Sequence, residues 1–102
     1  MRWWSLEVAG PSMAPTLLHG DWVVAWRTRR ARVGDVVVAR RPDRPDLLVV
    51  KRVNNIDETG IWLKGDNPLA SDDSAVFGPV THIEARVVAR YWPRLTLRGF
   101  RR

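Results

Sequence analysis

Residues 46–53 read DLLVVKRV, and their spacing decides how the rest of the chain is read. In an extended chain Leu47, Val49, Lys51 and Val53 share one face, while Leu48, Val50 and Arg52 share the other, because side chains alternate along a strand. Valine and leucine dominate the run, and prolines and aspartates precede it, which marks a strand between turns. The same signature recurs in WSLEV (4–8), DWVVAW (21–26), DVVVAR (35–40), GIWLKG (60–65) and IEARVVARYW (83–92). Breakers such as RPDRPD, NNIDETG and GDNPLASDD separate these runs, and no long segment carries a 3.6-residue period. The expected fold class is therefore all-β, a small folded sheet or barrel.

A length of 102 residues accommodates one domain, 1–102, with one modest core. Residues 92–102 are read as a basic, mobile tail after Pro93, since proline ends a regular strand. The longest apolar run, WVVAW (22–26), falls far short of the about 20 residues needed to cross a bilayer, so no transmembrane segment is expected. MRWWSLEVAG lacks the apolar stretch and small-residue cleavage site of a secretory signal. Together with the absence of cysteine, this predicts a cytoplasmic protein. Without thiolates, and with His19 and His82 away from ligand spacing, neither a metal nor a cofactor is expected.

The formal charge of +6 comes almost entirely from arginine, fifteen of the seventeen basic residues. A solvated arginine-rich surface is the plain reading, with nucleic acid or a membrane face as the alternatives. Trp3, Trp4, Trp22, Trp26, Trp62 and Trp92 are scattered as core and rim residues would be, so no nucleic-acid partner is expected. Arg2, Trp3 and Trp4 would suit weak contact with a membrane face; a buried first strand is preferred.

Lys51 interrupts an apolar row. If that row faces inward the ammonium loses water, and a fall of about three pKa units would take roughly 4 kcal/mol from the fold. The product is an amine able to accept a proton near neutrality, which arginine could not supply. A lysine snorkelling at a strand end is the alternative. A serine on a sharp turn, Ser12 in GPSMAPTL (10–17), is a hydroxyl that such a base could activate. The polar loop GDNPLASDDS (65–74) is either a plain turn or a place from which Ser71 orients Lys51.

Taken in order, GPSMAPTL, GDVVVAR, VVKRV and GDNPLASDDSAVFGPV resemble the four boxes of the signal peptidase family of serine proteases, over about residues 5–80. The resemblance implies the folded sheet of that family's catalytic core and a serine endopeptidase with a Ser-Lys dyad. It implies Ser12 as nucleophile, Lys51 as general base, Ser71 orienting the amine, and Asp73 as a structural acid. Met13 would pack beside the scissile bond. An extended substrate would lie between Val8, Ala9 and Gly10 on one side and Leu48, Val49 and Val50 on the other. The short form with VVARRPDRP, LLVVKR and a closing RYWPR is similar to the nickel-type superoxide dismutase maturation proteases. That likeness implies a protein partner, the dismutase precursor, which would lose its N-terminal propeptide. Another substrate for a membrane-free peptidase of this kind, or a basic β-barrel binding nucleic acid, are the alternative functions. Two departures stand out: Gly10 replaces a hydroxyl residue that many relatives use at the oxyanion, and Ala75 replaces an arginine that often pairs with the acid at Asp73. A self-cleaving repressor would need a DNA-binding domain before the barrel, and a serine-histidine hydrolase would need His19 or His82 in a catalytic box.

Overall fold

The computed structural model describes residues 2–70, 77–97 and 100. Its strands are β1 (Trp3–Glu7), β2 (Trp22–Arg27), β3 (Val36–Arg41), β4 (Arg44–Asp57), β5 (Gly60–Lys64) and β6 (Ala85–Trp92). They form one sheet in the order β1-β2-β6-β3-β4-β5, with every neighbouring pair antiparallel. The all-β expectation holds. Among the described residues no helix is long and apolar enough to cross a membrane.

The continuous apolar run of β3 reports burial on both faces, the pattern of a strand covered on each side. Val36 and Val38 enter a core with Val8, Met13, Leu17, Val23 and Val87. Val37 and Ala39 enter a second core with Val53, Ile61, Leu63 and Ile83. The first core sits beneath the segment that carries Ser12, and the second lies beside the inner part of β4.

β4 is longer than the run 46–53, reaching from Arg44 to Asp57. The reason is that the RPDRPD breaker contracts to a turn at Pro42 and Asp43, with Arg41 paired to Arg44. Asp43 accepts from the Arg41 guanidinium at 3.0 and 2.8 Å, which closes the turn. β5 joins β4 only from Arg52 onward. Among the described residues, the other edge of β4 from Arg44 to Val50 therefore has no strand partner, and Pro45, which has no N–H to donate, is tolerated there.

Gly60 ends the β4–β5 turn at φ +139°, and a Cβ there would lie 2.6 Å from the carbonyl oxygen of Val80. That carbonyl accepts the Ile61 N–H at 2.8 Å, and Ile61 returns its own carbonyl to the Val80 N–H at 2.9 Å. Only glycine allows so close an approach.

In the segment after Trp92, expected to be a basic tail, the described residues make these contacts. Arg90 and Thr96 exchange backbone hydrogen bonds at 2.9 Å, and the Arg90 guanidinium also donates to the Thr96 hydroxyl at 2.6 Å. Phe100 is 1% exposed within the first core, and its carbonyl accepts from the Val36 N–H at 2.6 Å. Burying one phenyl ring outweighs the arginine-rich composition around it.

Candidate active site

Ser12 sits on a turn anchored from both sides. Val8 donates to the Asp21 carbonyl and accepts from Gly20, both at 2.8 Å, closing the loop that holds the serine. Met13 and Leu17, 1% and 0% exposed, bury themselves in the first core and pull the turn down onto it. The Leu17 N–H donates to the Met13 carbonyl at 2.9 Å. Gly10 adopts φ +83°, in the left-handed region open to glycine, and its N–H donates to His19 Nδ1 at 2.9 Å. Beneath the loop, buried Asp21 accepts from the Leu18 N–H at 2.8 Å and from Arg90 at 3.1 Å.

Lys51 projects from the opposite wall. It stands across from Val37 in the β3–β4 register and is 4% exposed, buried like Asp21 and Asp35 among the described residues. Leu47 and Leu48, at the outer end of the same strand, are exposed. The row read as facing inward is thus buried at its inner end, where Lys51 and Val53 lie, and open at its outer end.

Between the walls runs a cleft of about 630 Å³. Both Ser12 and Lys51 line it, as do Val8, Ala9, Gly10, Met13, Leu48, Val49 and Val50. Ser71 and Asp73 lie outside the described residues. Among the described residues Leu6, Glu7, Val38, Leu47, Leu69 and Ala70 also line it, without having been singled out in the sequence. Leu69, in this lining, is 94% exposed.

The segment 65–70 does more for the site than a plain turn. Asn67 donates its N–H to the Ser12 carbonyl at 2.9 Å and its side-chain amide to the Pro11 carbonyl at 3.0 Å. Asp66 accepts from Thr16 at 2.5 Å and takes a two-pronged grip from Arg52, at 2.9 and 2.8 Å. Arg52 also donates to the Gly34 carbonyl at 2.7 Å. One carboxylate thereby links the serine turn, through Thr16, to the residue after Lys51. Partial burial pushes the Asp66 carboxyl up, but the hydrogen bonds from Arg52 and Thr16 and the Arg52 charge outweigh it, leaving it below its ordinary 3.8. The signal for these roles was the acid-amide pair behind Gly65, which sequence reading treated as turn chemistry.

Neither histidine stands in a hydrolase arrangement. His19 Nδ1 is taken by the Gly10 N–H, and His82 lies with Arg29, Thr81 and Glu84, none of which lines the cleft. Among the described residues no three His, Asp or Glu side chains converge to hold a metal.

Comparison with known proteins adds a family. The family described as Peptidase S24-like matches residues 3–88. The chain is 35% identical, over 85% of its length, to the mitochondrial ATP-independent inner membrane protease subunit 1a of Arabidopsis thaliana, and covers 69% of that protein. It is 32% identical, over 93% of its length, to mitochondrial inner membrane protease subunit 2 of Schizosaccharomyces pombe, covering 71% of it. Against subunit 1 from Homo sapiens the identity is 32% over 83% of the chain, and 67% of the relative is covered. These relatives overturn the cytoplasmic expectation: they are inner membrane proteases. Compartment is not encoded in cysteine usage or in the lack of a long apolar run, which is why composition pointed the wrong way.

Proposed function

The chain belongs to the Peptidase S24-like family and is a peptidase; from that premise we propose that it is a serine peptidase of the S24/S26 type, with Ser12 and Lys51 as its catalytic dyad. The observation that carries the reading is the placement of a serine on a tethered turn and a 4% exposed lysine in the walls of one cleft. Burial disfavours the charged form of an amine, and Lys51 is 4% exposed; the neutral amine is the form that can accept a proton. Lys51 takes the Ser12 proton as the oxygen attacks the peptide carbonyl. The resulting ammonium protonates the leaving amine, and an acyl group remains on Ser12. Water activated by the same amine then releases the second product. The Ser12 N–H serves the oxyanion. Gly10 brings no hydroxyl and its N–H is committed to His19, so the oxyanion has one donor fewer than in relatives with a hydroxyl there, a deficit of about 10²-fold in rate.

The substrate enters as an extended chain. β1 ends the sheet and, among the described residues, β4 has an open edge opposite it, so a peptide lying in the cleft adds a strand between Val8–Gly10 and Leu48–Val50 and gains backbone hydrogen bonds on both sides. Side chains pointing into the cleft meet Leu6, Val8, Val38 and Val50, with Glu7 as the carboxylate of the lining. An unfolded, largely apolar segment fits these walls. The N-terminal propeptide of a nickel superoxide dismutase precursor is the specific substrate we propose, on the likeness of the four boxes to that maturation class.

Mass spectrometry of products tests the reading in two steps. The full chain, mixed with unfolded model peptides, cleaves them, while Ser12→Ala and Lys51→Met do not; cleavage by either variant overturns the dyad. Incubation with the dismutase precursor then yields a mature fragment and a released propeptide, and an intact precursor beside cleaved model peptides overturns the substrate alone.

A further inference from the structure

At the far end of β1 from the nucleophile lies a second cleft of about 660 Å³, lined by Arg2, Arg27, Arg29 and Arg30 together with His82 and Glu84. We propose that it seats the phosphate headgroups of an anionic bilayer, with Trp3 at the depth of the interface. Peptide cleavage uses none of these residues.

The arginines are placed rather than merely abundant. Arg27 donates its N–H to the Arg2 carbonyl at 2.7 Å, and the Arg2 guanidinium donates back to the Arg27 carbonyl at 3.0 Å. The Arg2 guanidinium lies 5.2 Å from the Trp26 ring centroid and that of Arg27 4.9 Å from the Trp4 ring, contacts that fix where these charges stand. Arg29 reaches His82 at 3.2 Å. The cleft's carboxylate, Glu84, is already shared between His82 at 3.2 Å and Arg40 at 3.8 Å. Four arginines therefore line the cleft with one engaged carboxylate, a charge balance complementary to several phosphates and not to one.

The aromatic residues favour a bilayer over a single-stranded nucleic acid. Base stacking needs open ring faces, whereas Trp26 and Trp4 already carry guanidiniums and Trp3 packs edge-on against Trp26 at 4.8 Å. What remains is one half-exposed indole, Trp3 at 49%, beside a basic cleft. That combination of a single tryptophan and clustered arginine suits the headgroup layer of an anionic membrane. The geometry also joins the two clefts. β1 with the preceding Arg2 spans from one cleft to Glu7 at the other, roughly 17 Å at the rise of a strand. A peptide leaving the membrane surface would reach Ser12 within a few residues.

Sedimentation of the full chain with vesicles is the test. The protein pellets with vesicles of phosphatidylcholine mixed with phosphatidylglycerol, stays in solution with phosphatidylcholine alone, and is released by raised salt. Each basic group at such a surface is worth about fivefold in partitioning, so Arg29→Glu with Arg30→Glu lowers binding by about 25-fold or more, while Arg29→Lys with Arg30→Lys retains most of it. Cleavage of a soluble peptide by both double variants stays at the parent rate, which also reports that they fold; should the glutamate pair fail to fold, Arg29→Gln with Arg30→Gln takes its place. Equal pelleting with both vesicle types, or binding indifferent to the reversals, overturns the proposal. So does displacement by glycerophosphate at low concentration, which identifies a small-phosphate pocket, or tighter binding to a single-stranded oligonucleotide than to the vesicles.

Discussion

Replacing Asp66 by Asn cuts the link between the serine turn and the strand that carries Lys51, and its effects can be worked out from the contacts. The carboxylate accepts two N–H bonds from Arg52 and one O–H bond from Thr16; an amide keeps one accepting oxygen and no charge. Hydrogen bonds to charged groups contribute about 1.5–3 kcal/mol each when buried. Here the Arg52 and Asp66 side chains are 27% and 17% exposed, so the net loss is discounted to about 1–2 kcal/mol. For a domain of this size that lowers the melting temperature by roughly 4–15 °C. The pH dependence has a definite sign. Because the folded carboxyl lies below 3.8, its stabilisation is complete above that value and disappears as pH falls through the folded pKa. Differential scanning calorimetry therefore finds the parent and Asp66→Asn well separated at neutral pH and converging on acidification below 3.8. Displacing the Ser12 turn by even an ångström also lowers kcat/KM by about 10²-fold, read by peptide cleavage under conditions where the variant is fully folded. A constant separation in melting temperature down to the acid limb, or unchanged kcat/KM, refutes the idea that this carboxylate couples the two walls.

Lys51→Met removes the proposed base while keeping an unbranched side chain of similar length; peptide cleavage drops by about 10³-fold or more, while circular dichroism stays that of the parent. Gly60→Ala places a Cβ 2.6 Å from the Val80 carbonyl at a φ of +139°, and chemical denaturation finds a loss of about 1–3 kcal/mol. Phe100→Ala empties a ring site that is 1% exposed, at a cost of about 3–5 kcal/mol; a transition unmoved by this change would mean that the C-terminal segment does not contribute to the core.

Local chemistry was enough for much of this protein. Alternation in DLLVVKRV and its counterparts marks strands because period-2 patterning and β-branched side chains act within a few residues, and the observed boundaries differ mainly where turns contract, as at Pro42 and Asp43. The same local reading singled out Ser12, from a turn of glycine and proline, and Lys51, from a lysine set in a valine row of an arginine-rich chain. What the tertiary structure alone decided are the relations between distant segments. That β3 is covered on both faces, that among the described residues β1 and the outer half of β4 keep open edges, and that β1 and β4 lie on either side of one cleft depend on strand order, which no window of sequence contains. Asp66 and Asn67 read as turn residues because their partners, Thr16, Arg52 and the carbonyls of Pro11 and Ser12, lie far away in the chain. Phe100, among arginines, read as part of a tail for the same reason: burial belongs to the folded surroundings of a side chain, and composition along the chain does not report it.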